Sequence, residues 1–410
     1  NASVPLTTLL LVGLKSVASV AGCAGVGAYA RHTGLLDDGI DKGLDKLISS
    51  LFMPCLIMHK VIPTMSLEAL VSIWPLALMC VCQVLYGLGS GRLLACSLER
   101  RYQGAFPRFT GLCMVAVAFP NSFSVPLALL LALGDHPVLL ADGQEGGQAL
   151  RAQITAQLLM SYSLWILARW SIGYPILSGS PSFKEWRKKA LNAPVIACVG
   201  SIALGLASNA APPRIQAAWQ PGGALQDVVD VLATPIDYAG RCSVPATLMT
   251  LGSKLYSAIV EIHSKGCFPV AGSDLEADHV PDGSESVRDG NKLGLRSEST
   301  SHDGDQGSMP LVAYAGLLLL RQVGGGAIGA ALGIGLLRGL CSVEDPVVLM
   351  VGMMQSAGPP MINLAVMAGL SSTAEIETAK LLLLTYSVSI VSWTLWVAVF
   401  LNLLQATGSV

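Results

Sequence analysis

Asparagine stands beside proline at two points deep in apolar sequence: Ala118-Phe119-Pro120-Asn121-Ser122-Phe123-Ser124-Val125-Pro126 and Gln355-Ser356-Ala357-Gly358-Pro359-Pro360-Met361-Ile362-Asn363. A proline removes a helical N–H and crowds the preceding turn. Each stretch therefore predicts a span interrupted in its middle, with unpaired N–H groups at the half-helix ends. Those groups carry partial positive charge, and the amides of Asn121 and Asn363 add donors without placing a full charge in hydrocarbon. The chemistry on offer is reversible capture of an anion, a carboxylate above all. Ser122, Ser124 and Gln355 extend the donor set, Phe119, Phe123 and Met361 can pack on an apolar or aromatic body, and Pro126, Pro359 and Pro360 keep the breaks open. The plainer alternative, that the asparagines only satisfy carbonyls freed by proline, suits a single kinked helix better than a matched pair.

Other ionisable residues read as structural. Asp237 and Arg241, at i and i+4, are expected to form an ion pair within a span rather than a coupling-ion site. Arg321 and Lys15 read as close enough to helix ends to snorkel, and His59 and Lys60 as interfacial. No group of carboxylates within the spans signals a sodium or proton site. No metal site or cofactor is expected, and the hydrolase and protease signatures G-x-S-x-G and H-E-x-x-H do not occur, so an enzyme is not expected. Gly325, Gly329 and Gly333 form a small-residue face for helix packing, and Trp393 and Trp396 read as packing or lipid contacts. The ten cysteines fall mostly in apolar runs with no CxxC pair, as buried small hydrophobes do.

The elements that must carry these residues follow from composition. Hydrophobic residues make up 52% of the 410 and charged ones 13%, about half the charged share of a soluble domain, so the chain is an integral membrane protein. Runs long enough to span a bilayer predict ten helices, near 5–30, 43–62, 69–97, 108–133, 150–174, 191–209, 225–253, 310–337, 346–370 and 375–404. Residues 261–308 hold ten Asp/Glu against four Lys/Arg, and 258–308 reads as a disordered acidic loop. The odd-numbered connections carry most of the loop Lys and Arg, Arg169 among them. That puts them and the acidic loop in the cytosol and both termini on the far side. The basic residues do not gather on one face, so nucleic acid is not a partner. With the acidic loop set aside, the two breaks fall at equivalent distances from helices one and six. The expected plan is all-α: two inverted five-helix repeats, 1–175 and 191–410, joined by a linker at 176–190, with crossover helices 4 and 9 broken.

Four stretches resemble the auxin efflux carrier family, which includes the plant PIN and PIN-LIKES carriers. They are Phe119 to Leu129, Gln355 to Asn363, Val244 to Leu255, and Leu191 to Ala197. The resemblance implies a scaffold of helices 1, 2, 6 and 7 and a mobile unit of helices 3–5 and 8–10. It further implies a homodimer, elevator-type efflux of organic anions such as indole carboxylates, and an endoplasmic reticulum location for PIN-LIKES-type members. Asn121, Pro126, Pro360 and Asn363 match the family's substrate-site positions. A sodium-coupled carboxylate or bile-acid symporter on the same plan, a polytopic membrane enzyme and a transport-dead receptor stand as alternatives.

Overall fold

The computed structural model describes residues 18, 21–102, 109–133, 139, 148–179, 182–212, 223, 226–264 and 309–407. Among these the protein is all-helical, with several candidate membrane spans. Asp38–Thr64, Trp74–Arg101, Ala193–Ala210 and Leu311–Leu340 are long and apolar enough to cross a bilayer, and Glu375–Ala406, bent by 50° between Ser389 and Val391, is a fifth if its two arms count as one span. Only 28% of the Ala193–Ala210 window is buried within the molecule, leaving Ile196, Val199 and Leu204 outward-facing. Such faces need hydrocarbon around them.

Two helical segments are broken where the prolines predict. Thr110–Ala118 ends at an extended Phe119 and the chain resumes as Ser124–Ala132, while Pro346–Ala357 gives way at Gly358 and resumes as Leu364–Ser371. Glycine brings a long partner against the first of these. A Cβ on Gly87 of Trp74–Arg101 would lie 2.2 Å from Ala118 Cα, and one on Gly91 would lie 2.6 Å from the Cys113 carbonyl oxygen. Backbone rests on backbone there. Gly87→Ala is expected to cost ~1–3 kcal/mol through overpacking, seen as a lower thermal unfolding midpoint of the purified protein. On the other side, the Gly325, Gly329 and Gly333 stripe packs on Pro346–Ala357, with Cβ positions 2.8, 2.6 and 2.5 Å from Ser356 and Met353 atoms.

Two expectations change. The helix predicted over 225–253 is two helices, Gln226–Arg241 and Ser243–Ser264, and the second takes in residues 258–264. Ile259, Val260 and Ile262 continue its apolar sequence with no breaker between. The rest of the acidic loop, 265–308, and the first predicted helix before residue 18 lie outside the described residues. Within the linker at 176–190, Phe183–Ala190 forms a helix capped by the Ser182 hydroxyl.

The carboxylates are not scattered. Lys254, 6% exposed, places its ammonium 2.7 Å from Asp45, 3.6 Å from Glu375 and 3.1 Å from the Ala365 carbonyl oxygen. Asp41 accepts from Ser253 Oγ at 2.6 Å and faces Arg31. Partners 209 and 111 residues away in sequence build this cluster, so no local pattern announced it. It fits only because Gly369 lacks a side chain: a Cβ there would lie 1.8 Å from Asp45 Oδ2.

Candidate functional site

The two breaks meet. Pro120 and Pro360 face each other in an antiparallel bridge, closed by Asn121 N–H donating to the Pro359 carbonyl at 2.7 Å and Met361 N–H donating to the Phe119 carbonyl at 3.0 Å. In this pairing the donors belong to the residues flanking the facing pair, so both facing positions can be proline. The bridge leaves other carbonyls to satisfy in an apolar interior, and long side chains reach in to do so.

Two buried arginines do most of that. Arg321, 4% exposed, donates through Nε to Gly358 O at 2.6 Å, through Nη1 to Val117 O at 2.9 Å and through Nη2 to Ser356 O at 2.6 Å, so one guanidinium ties both breaks together. Arg169, 3% exposed, donates through Nη2 to Pro120 O at 3.2 Å and to Ser122 Oγ at 2.6 Å. Both contradict the sequence reading, in which Arg321 snorkels and Arg169 belongs to a cytosolic connection. The reason is local: each lies in a π-helical turn, Leu319–Gly324 or Arg169–Gly173, where an extra residue per turn rotates the side chain inward.

The predicted polar residues divide by task. Gln355 donates to Ser122 O at 3.0 Å and Ser161 Oγ at 2.8 Å and accepts from Trp165 at 3.2 Å, while Ser122 is fully buried against Arg169. Pro126, Pro359 and Pro360 are buried in the framework, and the side chain of Ser124 lies outside the described residues. Asn121 donates to Tyr386 Oη at 2.7 Å, and Tyr386 in turn donates to Pro360 O at 3.2 Å. Asn363 is half-buried, its amide nitrogen 4.0 Å from Met53 Sδ, a weak acceptor.

Asn121 and Asn363 nonetheless open onto one small cavity. Arg169, Tyr162, Phe123, Met361 and Ile362 share its wall, and Leu56, Val244 and Thr247 close it from the helices opposite. Phe123 stacks on Tyr162 with ring centroids 4.8 Å apart, and the Arg169 guanidinium carbon lies 5.5 Å from the Tyr162 centroid. The volume is about 40 Å³, room for a few waters. An organic ligand needs several hundred Å³, so the walls must part to admit one.

Electrostatics sets this cavity apart. Among the described residues no carboxylate oxygen lies within 4.0 Å of Arg169 or Arg321, and Arg169 Nε is buried without a hydrogen-bond partner. An unpaired guanidinium in an apolar interior is costly and marks a place where an anion is stabilised. The sequence alone points to the half-helix N–H groups and neutral side-chain donors for that work, without a full positive charge. Asp237 and Arg241 lie elsewhere: Asp237 accepts from Arg241 at 2.5 Å and lies 3.1 Å from His59 Nε2, and the Arg241 side chain is 72% exposed. They do not reach the cavity.

A family model described as "Membrane transport protein" matches residues 12–266, a span that holds the first break and Arg169 and ends before the second break. No curated protein matches the chain.

Proposed function

The chain belongs to the membrane transport protein family that comprises the auxin efflux carriers, and we propose that it is a secondary carrier of small organic anions, auxin-like indole carboxylates first among them. One observation carries the reading: Asn121, Asn363 and a buried arginine without a carboxylate partner line a single cavity where two broken helices cross. Arg169 and the amide of Asn363, which has only the weak acceptor Met53 Sδ beside it, take the carboxylate. Tyr162, Phe123 and Ile362 receive an aromatic or apolar body.

In this reading the chain makes ten spans as two inverted repeats, and helices 3–5 and 8–10 move past helices 1, 2, 6 and 7. The cavity is bounded on one side by the breaks and on the other by Leu56, Val244 and Thr247, so sliding these walls apart opens it. The same movement must part Lys254 from Ala365 and Glu375, which belong to the opposite unit. A bound monoanion gains or loses ~2.3 kcal/mol per 100 mV, enough to drive export from a negative cytosol without a coupling ion. Dimer formation and an endoplasmic reticulum location rest on family resemblance and complete the proposal.

The test is flux. Purified protein in vesicles is expected to move labelled indole-3-acetate and to ignore neutral indole-3-acetamide, with the same rate when sodium is replaced by choline. Asn363→Ala, which removes a donor with no strong structural partner, is expected to cut flux by at least ~10-fold, the share of a charge-assisted hydrogen bond. Wild-type protein that moves acid and amide alike would end the anion-carrier reading.

A further inference from the structure

Away from the crossover, the helix Phe183–Ala190 carries Lys184, Arg187, Lys188 and Lys189 against a single Glu185. At 100° per residue, Phe183, Trp186 and Ala190 share one side, Arg187 and Lys189 flank it, and Lys184 and Lys188 point away. Ala190 is buried against the molecule, but Phe183 is 75% exposed and only stacks on Trp186, with centroids 5.6 Å apart. An exposed phenylalanine stacked on a half-buried tryptophan, between flanking cations, is the pattern of a helix lying in a membrane interface. At its foot Tyr174, Lys188, Lys189 and Asn192 surround a groove of about 390 Å³, with Glu185 on its rim. Lys189 is held there by a 3.2 Å bond to Ser178 O, and the Asn192 amide by Trp170 O and Lys189 O.

We propose that this helix and groove seat the headgroup of an anionic phospholipid, the phosphate against Lys189, which lines the groove and flanks the aromatic side, and the acyl chains along Trp186 and the exposed Phe183. Four basic residues on one amphipathic helix are a sufficient electrostatic signal for an acidic lipid surface. Phosphatidylserine fits the groove's mixed charge, because its ammonium can meet Glu185 while its phosphate meets Lys189. The assignment is independent of what the carrier moves.

The test uses the full chain in vesicles containing phosphatidylserine or phosphatidylcholine brominated on the acyl chains. The signal is the fluorescence lost in wild type but not in Trp186→Phe. Brominated phosphatidylserine is expected to quench Trp186 at least about threefold more than brominated phosphatidylcholine, and high salt is expected to shrink that ratio. Replacing Lys184, Arg187, Lys188 and Lys189 by glutamine is expected to bring the ratio to one, while inorganic phosphate leaves the wild-type ratio unchanged. Equal quenching by the two lipids in wild type would overturn the proposal. So would displacement by inorganic phosphate, which would identify a free-anion site, or insensitivity of the ratio to salt, a readout that needs no variant to fold.

Discussion

Arg169→Gln is expected to lower flux of a carboxylate substrate by about 100-fold, corresponding to ~3 kcal/mol, within the range found when one member of a buried charge pair is truncated. The mechanism predicts more than a loss. Arg169 faces the cavity with an unpartnered Nε while its Nη2 holds Pro120 O and Ser122 Oγ. A glutamine side chain keeps a donor in the region and removes the charge, so the protein is expected to remain monodisperse with an unfolding midpoint near that of wild type. The acid should lose its advantage over the neutral amide, because charge is what distinguishes them. Arg169→Lys, which restores the charge without the planar fork, is expected to recover part of the discrimination. Were Arg169 only a brace for Pro120, the glutamine variant would lower the midpoint and leave acid-over-amide selectivity intact in whatever protein survived. That result would remove Arg169 from the binding site.

What the chain discloses before folding is uneven, for physical reasons. The breaks at Pro120 and Pro360 are legible because proline acts on its own turn and the turn before it, and nothing distant is needed to stop the helix. Their meeting was foreshadowed by symmetry, whereas the donors that satisfy the freed carbonyls were not. Arg321 reaches Val117 across 204 positions, Gln355 reaches Ser122 across 233, and Asn121 reaches Tyr386 across 265. Hydropathy ranks an arginine at the edge of an apolar run as interfacial, and a π-helical turn overrules that ranking with no signature in composition. Asn121 shows the same limit from the other side: its type suggested a free donor, and Tyr386 claims its amide. The Lys254 cluster is not legible in the sequence because Asp45 and Glu375 stand among other charges near the starts of their spans, as interfacial residues do, and only the meeting of three helices brings them to Lys254.

Arg321→Met is expected to have the largest structural effect of any single change at the crossover. The guanidinium serves three carbonyls, and methionine leaves Val117, Ser356 and Gly358 without that donor in an apolar surround. At ~1–3 kcal/mol for each of the three buried groups left unsatisfied, the loss is at least ~3 kcal/mol, a large part of a total stability that is commonly ~5–15 kcal/mol. Expression of folded protein should fall, and the unfolding midpoint of what remains should drop far below that of Arg169→Gln. Flux of acid and of neutral analogue should fall together, since the scaffold of the site and not its charge is damaged. Arg321→Lys keeps the charge but presents one ammonium in place of a fork, so it should retain one or two of the three contacts and an intermediate midpoint. An Arg321→Met protein with a wild-type midpoint would show that the breaks hold without it. The prediction bears on movement as well, because Val117 precedes the first break while Ser356 and Gly358 belong to the second. A side chain that grips both makes the crossing helices one body, and a body of that kind can carry a bound anion past the opposing helices without opening its own backbone to lipid.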